Sequence, residues 1–134
     1  MISVALPWTL ALSYMGLALP AVFDEQVRHL GVGVQRVPMR LASHSTAAFA
    51  NGANGYAFDD SALCFGMNLE RLMANIEILE KCAESFVLAR SASRKVKRIP
   101  WLVKFIANGR LKKDQAAAAA CHRCGERSVM KAGY

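Results

Sequence analysis

The sequence is short of the residues from which most site chemistry is built. It has three histidines in 134 residues, His29, His44 and His122. They are too scattered to form a recognised metal-ligand motif. Its nine glycines form no G-x-G-x-x-G or P-loop pattern, and "ANGANG" is turn chemistry, not a phosphate cradle. No fixed-period repeat stands out. The four cysteines, Cys64, Cys82, Cys121 and Cys124, do not suggest a disulfide framework in a chain this rich in helix formers, and point to a reducing cytoplasm. Cys64 and Cys82 have apolar neighbours and read as small core residues. Acidic residues are scarce in the last third. Residues 90–134 hold twelve basic side chains and two acidic ones, against five and eight in residues 1–89. Such a basic segment can meet nucleic acid, an anionic membrane or a phosphorylated ligand, or can simply be a solvated tail.

The first 23 residues carry no charge. That is long enough for a membrane span. Pro7, Pro20, Thr9, Ser13 and Tyr14 interrupt the run, no basic region precedes it, and the charges after it are acidic (Asp24, Glu25). The run is therefore expected to fold into the domain, with a signal anchor as the minority reading, and no membrane partner is expected.

The chain is 54% hydrophobic, enough for one domain with a modest core. "WTLALSYMG" suits a short helix closed by Gly16 at a position where positive φ is easy. "LALPAVFDEQVRHLG" reads as an extended link and a helical turn ending at Gly31. "VGVQRVPM" alternates like a strand, and Pro38 places it at a sheet edge or strand end. "ASHSTAAFANGANG" suits a short helix and a turn. "YAFDD" and "SALCFG" read as strands around a turn, and the apolar run Ala62–Phe65 suits a strand covered on both faces.

Residues 69–91 give the clearest element. Asn68 is a good N-cap, and Glu70 lies in the first turn, where the helix dipole favours an anion. Leu69, Leu72, Met73, Ile76, Leu79, Ala83, Phe86 and Val87 recur at helical spacing and are expected to form one buried face. "SASRKVKRIP" follows as a basic link. "WLVKFIANG" then reads as a second helix with Pro100 at its start and Gly109 past its end. Its apolar residues are expected to pack on the domain. The alanine-rich remainder is expected to be a frayed tail.

In this order, "TLALSYMGLALPAVFDEQVRHLG", "YAFDDSALCFGMNLERLMANIEILEKCAESFVLA" and "KVKRIPWLVKFIANGRLKK" resemble the class II aldolase/adducin family, over most of residues 9–113. The resemblance implies the α/β class: an αβα layered domain with a mainly antiparallel sheet flanked by helices. It divides the chain into a partial family domain, residues 1–113, and an alanine-rich basic tail, residues 114–134. It also implies kinship with metal-dependent sugar-phosphate aldolases and a sugar phosphate as substrate. The family holds a divalent metal, usually zinc, on three histidines. Two come from a His-x-His motif, at whose place this chain has "SVALPW". The third falls where this chain has Asp60-Ser61. Asp60 is therefore the single candidate metal ligand, with a turn pair, Asp59-Asp60, as the plain alternative. The family's base and phosphate-binding loops lie further upstream and have no counterpart here.

The chain alone is accordingly expected to hold no metal, to carry no recognisable catalytic residue, and to need a homo-oligomeric partner or an N-terminal portion. The other reading is a non-enzymatic, adducin-like interaction module that docks through helix 69–91 and the basic tail. In "CHRC", Cys121, Cys124 and His122 supply three ligands at most, one short of a structural zinc site. A nucleic-acid partner for "RKVKRIPWLVKF" is not expected either.

Overall fold

The computed structural model describes residues 1–38 and 49–126. Four strands form one sheet in the order β1-β4-β3-β2: β1 (Ile2–Val4), β2 (Gln35–Arg36), β3 (Gly55–Ala57) and β4 (Ala62–Cys64). The β1–β4 and β4–β3 pairs are antiparallel, and β2 joins β3 in parallel at the edge. Ala57 stands opposite Ala62, and the Phe58 N–H donates to the Ser61 carbonyl at 2.7 Å. Asp59 and Asp60 are therefore the two central residues of a tight hairpin. The sheet is mainly antiparallel, flanked by helices, and of the α/β class expected from the sequence. His44 and most of the short helix expected in "ASHSTAAFANG" lie outside the described residues.

Four helices complete the described chain: α1 (Pro7–Tyr14), α2 (Asp24–Leu30), α3 (Leu69–Ser91) and α4 (Trp101–Arg123). α1 has Pro7 at its start and Gly16 at φ +67° just past its end. α2 carries Asp24 and Glu25 in its first turn and ends at Gly31. Asn68 caps α3 by accepting from the Arg71 N–H at 2.8 Å.

Both faces of the central strands are covered. Ala57, Ala62 and Cys64 join Leu12, Leu19, Leu30, Leu72, Leu79 and Phe86 in the main core. On the other face Tyr56 and Phe58 pack with Phe49, Leu63 and Phe65. Phe49 and Tyr56 meet edge to face at 4.9 Å, a geometry that aromatic quadrupoles favour. Each fully buried leucine contributes roughly 1.5–3 kcal/mol, so the core outweighs the few exposed ion pairs. Burial pushes the Cys64 and Cys82 thiols up to about 11, as fits core cysteines.

Three expectations are corrected. The inward row of α3 is Arg71, Asn75, Leu79, Cys82 and Phe86, spaced by four, four, three and four residues. Leu69 and Met73 fall beyond its margin and are 71% and 48% exposed. Next, α4 runs through Gly109 to Arg123, where a helix end at Gly109 and a frayed tail were expected. The alanines continue the helix, and docked side chains at Leu111 and Ala118 hold it. Finally, the apolar residues at the start of α4 do not pack on the domain: Trp101 and Phe105 are 72% and 71% exposed.

A further anchor joins sequence-distant elements. The Glu80 carboxylate on α3 accepts from the backbone N–H groups of Trp8 at 2.6 Å and Thr9 at 3.1 Å, and from the Thr9 hydroxyl at 2.9 Å. It caps α1, whose own preceding residue, Leu6, has no side chain able to do so.

Gly66 sits where the chain turns from β4 into α3. A Cβ there would lie 2.5 Å from the Leu72 backbone, so this contact admits no side chain. Gly66→Ala is expected to destabilise by about 1–3 kcal/mol through overpacking, read as a lower urea midpoint with an unchanged slope. An unchanged midpoint would show that β4 and α3 are not held this closely.

Candidate functional site

Two places carry polar side chains in designed-looking arrangements, and only one was visible in the sequence. The first is the β3–β4 hairpin. The buried Ser13 hydroxyl donates to the Phe58 carbonyl at 2.7 Å, tying the hairpin to α1. Asp59 is engaged by the Arg36 guanidinium at 2.7 Å. Asp60 is exposed and accepts from the Ser61 hydroxyl at 2.9 Å. The sequence candidate Asp60 is thus presented on a tight turn, beside Asp59. Among the described residues no three His, Cys, Asp or Glu side chains gather closely enough to hold a metal ion. The guanidinium beside Asp59 further opposes a second cation at the turn.

The two described histidines lie elsewhere. His29 is on α2 and His122 near the end of α4, where its Nε2 lies 3.1 Å from the Met67 carbonyl oxygen. Cys121 and Cys124 close α4, and all four cysteines are free.

The second place is a polar cluster between α2, α3 and α4 that the sequence reading missed. Asp114 on α4 pairs with Arg28 on α2 at 2.7 Å and with Arg71 on α3 at 3.5 Å. Gln115 donates to the Asn54 side-chain oxygen and the Gly52 carbonyl, both at 3.0 Å. Asn54 donates to the His29 carbonyl at 2.9 Å, and Asn75 to the Phe65 carbonyl at 2.7 Å. One carboxylate faces two guanidiniums, so the cluster keeps an excess positive charge. Arg71 is only 7% exposed. Burial and the neighbouring Arg28 lower its pKa while Asp114 raises it. The Arg71 Nε atom is buried without a hydrogen-bond partner.

His29 feels this environment most. Burial, then Arg71 and Arg28, lower its pKa to about 4, while Asn75 and Asp114 pull the other way. The imidazole is therefore neutral at pH 7, which fits a structural role more directly than proton transfer near neutrality. The only signal for this cluster was the spacing of Arg71 and Asn75, which puts them on the same side of α3 as Leu79 and Cys82. Periodicity alone gives such residues no partner.

No family model and no curated protein sequence matches the chain. Among solved structures the fold is similar to an L-fuculose 1-phosphate aldolase, with a TM-score of 0.66, 18% sequence identity and 79% of this chain covered. The chain spans about half, 52%, of that structure's length. At this identity the likeness concerns the fold: a partial aldolase-like architecture of sheet and flanking helices.

Two outcomes test the cluster. Asp114→Ala leaves two guanidiniums unpaired, one of them buried. Because Asp114 itself is partly exposed, the expected cost is about 1–3 kcal/mol, between the values for exposed and buried pairs. An unaltered melt would mean that the second half of α4 is not docked. The His29 shift also predicts a pH dependence. Its folded pKa lies below the unfolded value of 6.5, so the unfolded state binds the proton first as pH falls. The stabilisation is complete above pH 6.5 and is lost toward pH 4. His29→Asn should flatten the urea midpoint across that window, with Arg28, Arg71 and Asp114 unchanged.

Proposed function

We propose that this chain is a class II aldolase-like protein, akin to metal-dependent sugar-phosphate aldolases, that lacks a complete metal site in its described residues. The observation that carries the reading is the hairpin Phe58–Ser61. It is held rigidly between β3, β4 and α1 within an aldolase-like fold, at the place that the sequence resemblance gives to a metal-ligand turn. Of its two exposed carboxylates, Asp59 is paired with Arg36, which leaves Asp60.

The residues present do not by themselves fit a resident zinc. One unpaired carboxylate is far from the three or four donors that such a site uses, and the neighbouring Asp59 is already paired with Arg36. A divalent ion, where bound, would polarise a carbonyl during carbon–carbon cleavage. Activity toward a sugar phosphate would therefore require further ligands from another segment or a partner chain. The non-enzymatic reading gains no support from the inward side of α3, whose Leu72, Leu79 and Phe86 are buried in the chain's own core.

A retro-aldol assay with a ketose 1-phosphate and added zinc or manganese tests the proposal. The chain alone should give no turnover above the metal-only blank. Turnover that Asp60→Ala abolishes would contradict it, since a competent centre would then exist in this chain.

A further inference from the structure

The most unusual surface is the link after α3 and the first half of α4. Trp101, Leu102, Phe105 and Ile106 are 72%, 53%, 71% and 49% exposed. At 100° per residue they share the side of the helix opposite Ala107, Leu111 and Ala118, which are buried. Four large apolar side chains in a row on a solvent face are not the scattered exposure of an ordinary surface.

The charge around this row is of one sign. Residues 90–113 contain nine lysines and arginines and no acidic residue. Lys95, Lys97 and Arg98 are exposed just before the helix, and Lys112 and Lys113 continue its outer face. Beside the row lies a cleft of about 550 Å³. Leu17, Val32 and Phe86 line it together with the cations Arg90, Arg98 and Lys104.

We infer that this face is a docking surface for an anionic phospholipid membrane. An apolar row that includes tryptophan and phenylalanine, ringed by lysine and arginine, matches a helix lying in the plane of a bilayer interface. The rings enter the acyl boundary and the cations meet the headgroups. The cleft adds a place where three cations surround an apolar lining, which suits a phosphate headgroup with its glycerol and upper chain. A second copy placed face to face would bring the same nine cations together without an anion. Nucleic acid would use the rings by stacking but would leave Leu102 and Ile106 in water. No helix among the described residues is long and apolar enough to cross a membrane, so the association is peripheral.

The test is co-sedimentation of the full chain with phosphatidylcholine vesicles, with and without phosphatidylserine, while tryptophan emission is followed. Binding is expected only to the anionic vesicles, with a blue shift that Trp101→Phe removes and with weakening at high salt. Trp101→Ser/Phe105→Ser should abolish binding. Lys97→Glu/Arg98→Glu should weaken it on the order of thirtyfold or more. All four residues are exposed, so the melt should be unchanged, and a circular dichroism melt checks this. The inference is overturned if anionic vesicles do not sediment the chain, or if neutral ones do so equally well. Unaffected binding by either double variant also overturns it. So does a single-stranded oligonucleotide that displaces the vesicles at lower concentration. Dissociation of an oligomer by Trp101→Ser/Phe105→Ser, without vesicle binding by the parent chain, assigns the face to a second copy instead.

Discussion

The inward face of α3 is the constraint on which the rest of the structure depends. The strands are two or three residues long, too short to hold a sheet by their ladders alone. They are ordered because Ala57, Ala62 and Cys64 are packed under Leu72, Leu79 and Phe86 in a common core. α1 is eight residues long, below the length at which a helix is stable in isolation. It is capped by Glu80 from the same helix. α2 and α4 meet α3 through Arg71 and Asp114. One helix therefore supplies the apolar lid of the sheet, the cap of its neighbour and one arm of the polar cluster.

The cations divide into two physical environments. Arg28 and Arg71 are drawn inward and share one carboxylate, an arrangement that fixes how three helices meet at the cost of desolvation. The residues of the link and the outer side of α4 stay in water, where like charges are tolerated and can act at a distance. The hairpin with Asp59 and Asp60 belongs to a third setting, exposed and partly neutralised by Arg36. The fold thus keeps its candidate ligand turn and its basic surface apart, on different elements.

Where burial follows a simple period, the sequence was a good guide. α3 occupies residues 69–91 with Asn68 as its cap, Gly16 closes α1 with positive φ, and the strand carrying Pro38 next to its end lies at the sheet edge. The Ala62–Phe65 run proved to be covered on both faces because the aromatic group around Tyr56 fills the side away from the helices. Reading failed where tertiary partners override local signals. Gly109 looked like a helix end, but contacts on both sides of it, at Ala107 and Leu111, carry the helix through. Arg71 and Asn75 drew no reading from the sequence, because their partners, Asp114 more than thirty residues on and the Phe65 carbonyl, are set by tertiary structure. Trp101 and Phe105 looked like core because their spacing is helical, and spacing does not say which side of a helix meets the domain. Asp60 was legible as a position on a turn, whereas the lack of a three-residue ligand group among the described residues is a three-dimensional fact.

The central claim is that α3 organises the chain, and the Glu80 cap tests it most directly because it joins residues more than seventy positions apart. Native-state amide hydrogen exchange at Trp8 and Thr9 reads that contact. The account predicts that both amides are protected to nearly the same opening free energy as the Leu79 amide within α3, because α1 cannot open without leaving the Glu80 carboxylate. Exchange at Trp8 and Thr9 close to the unprotected rate, with Leu79 still protected, would contradict it.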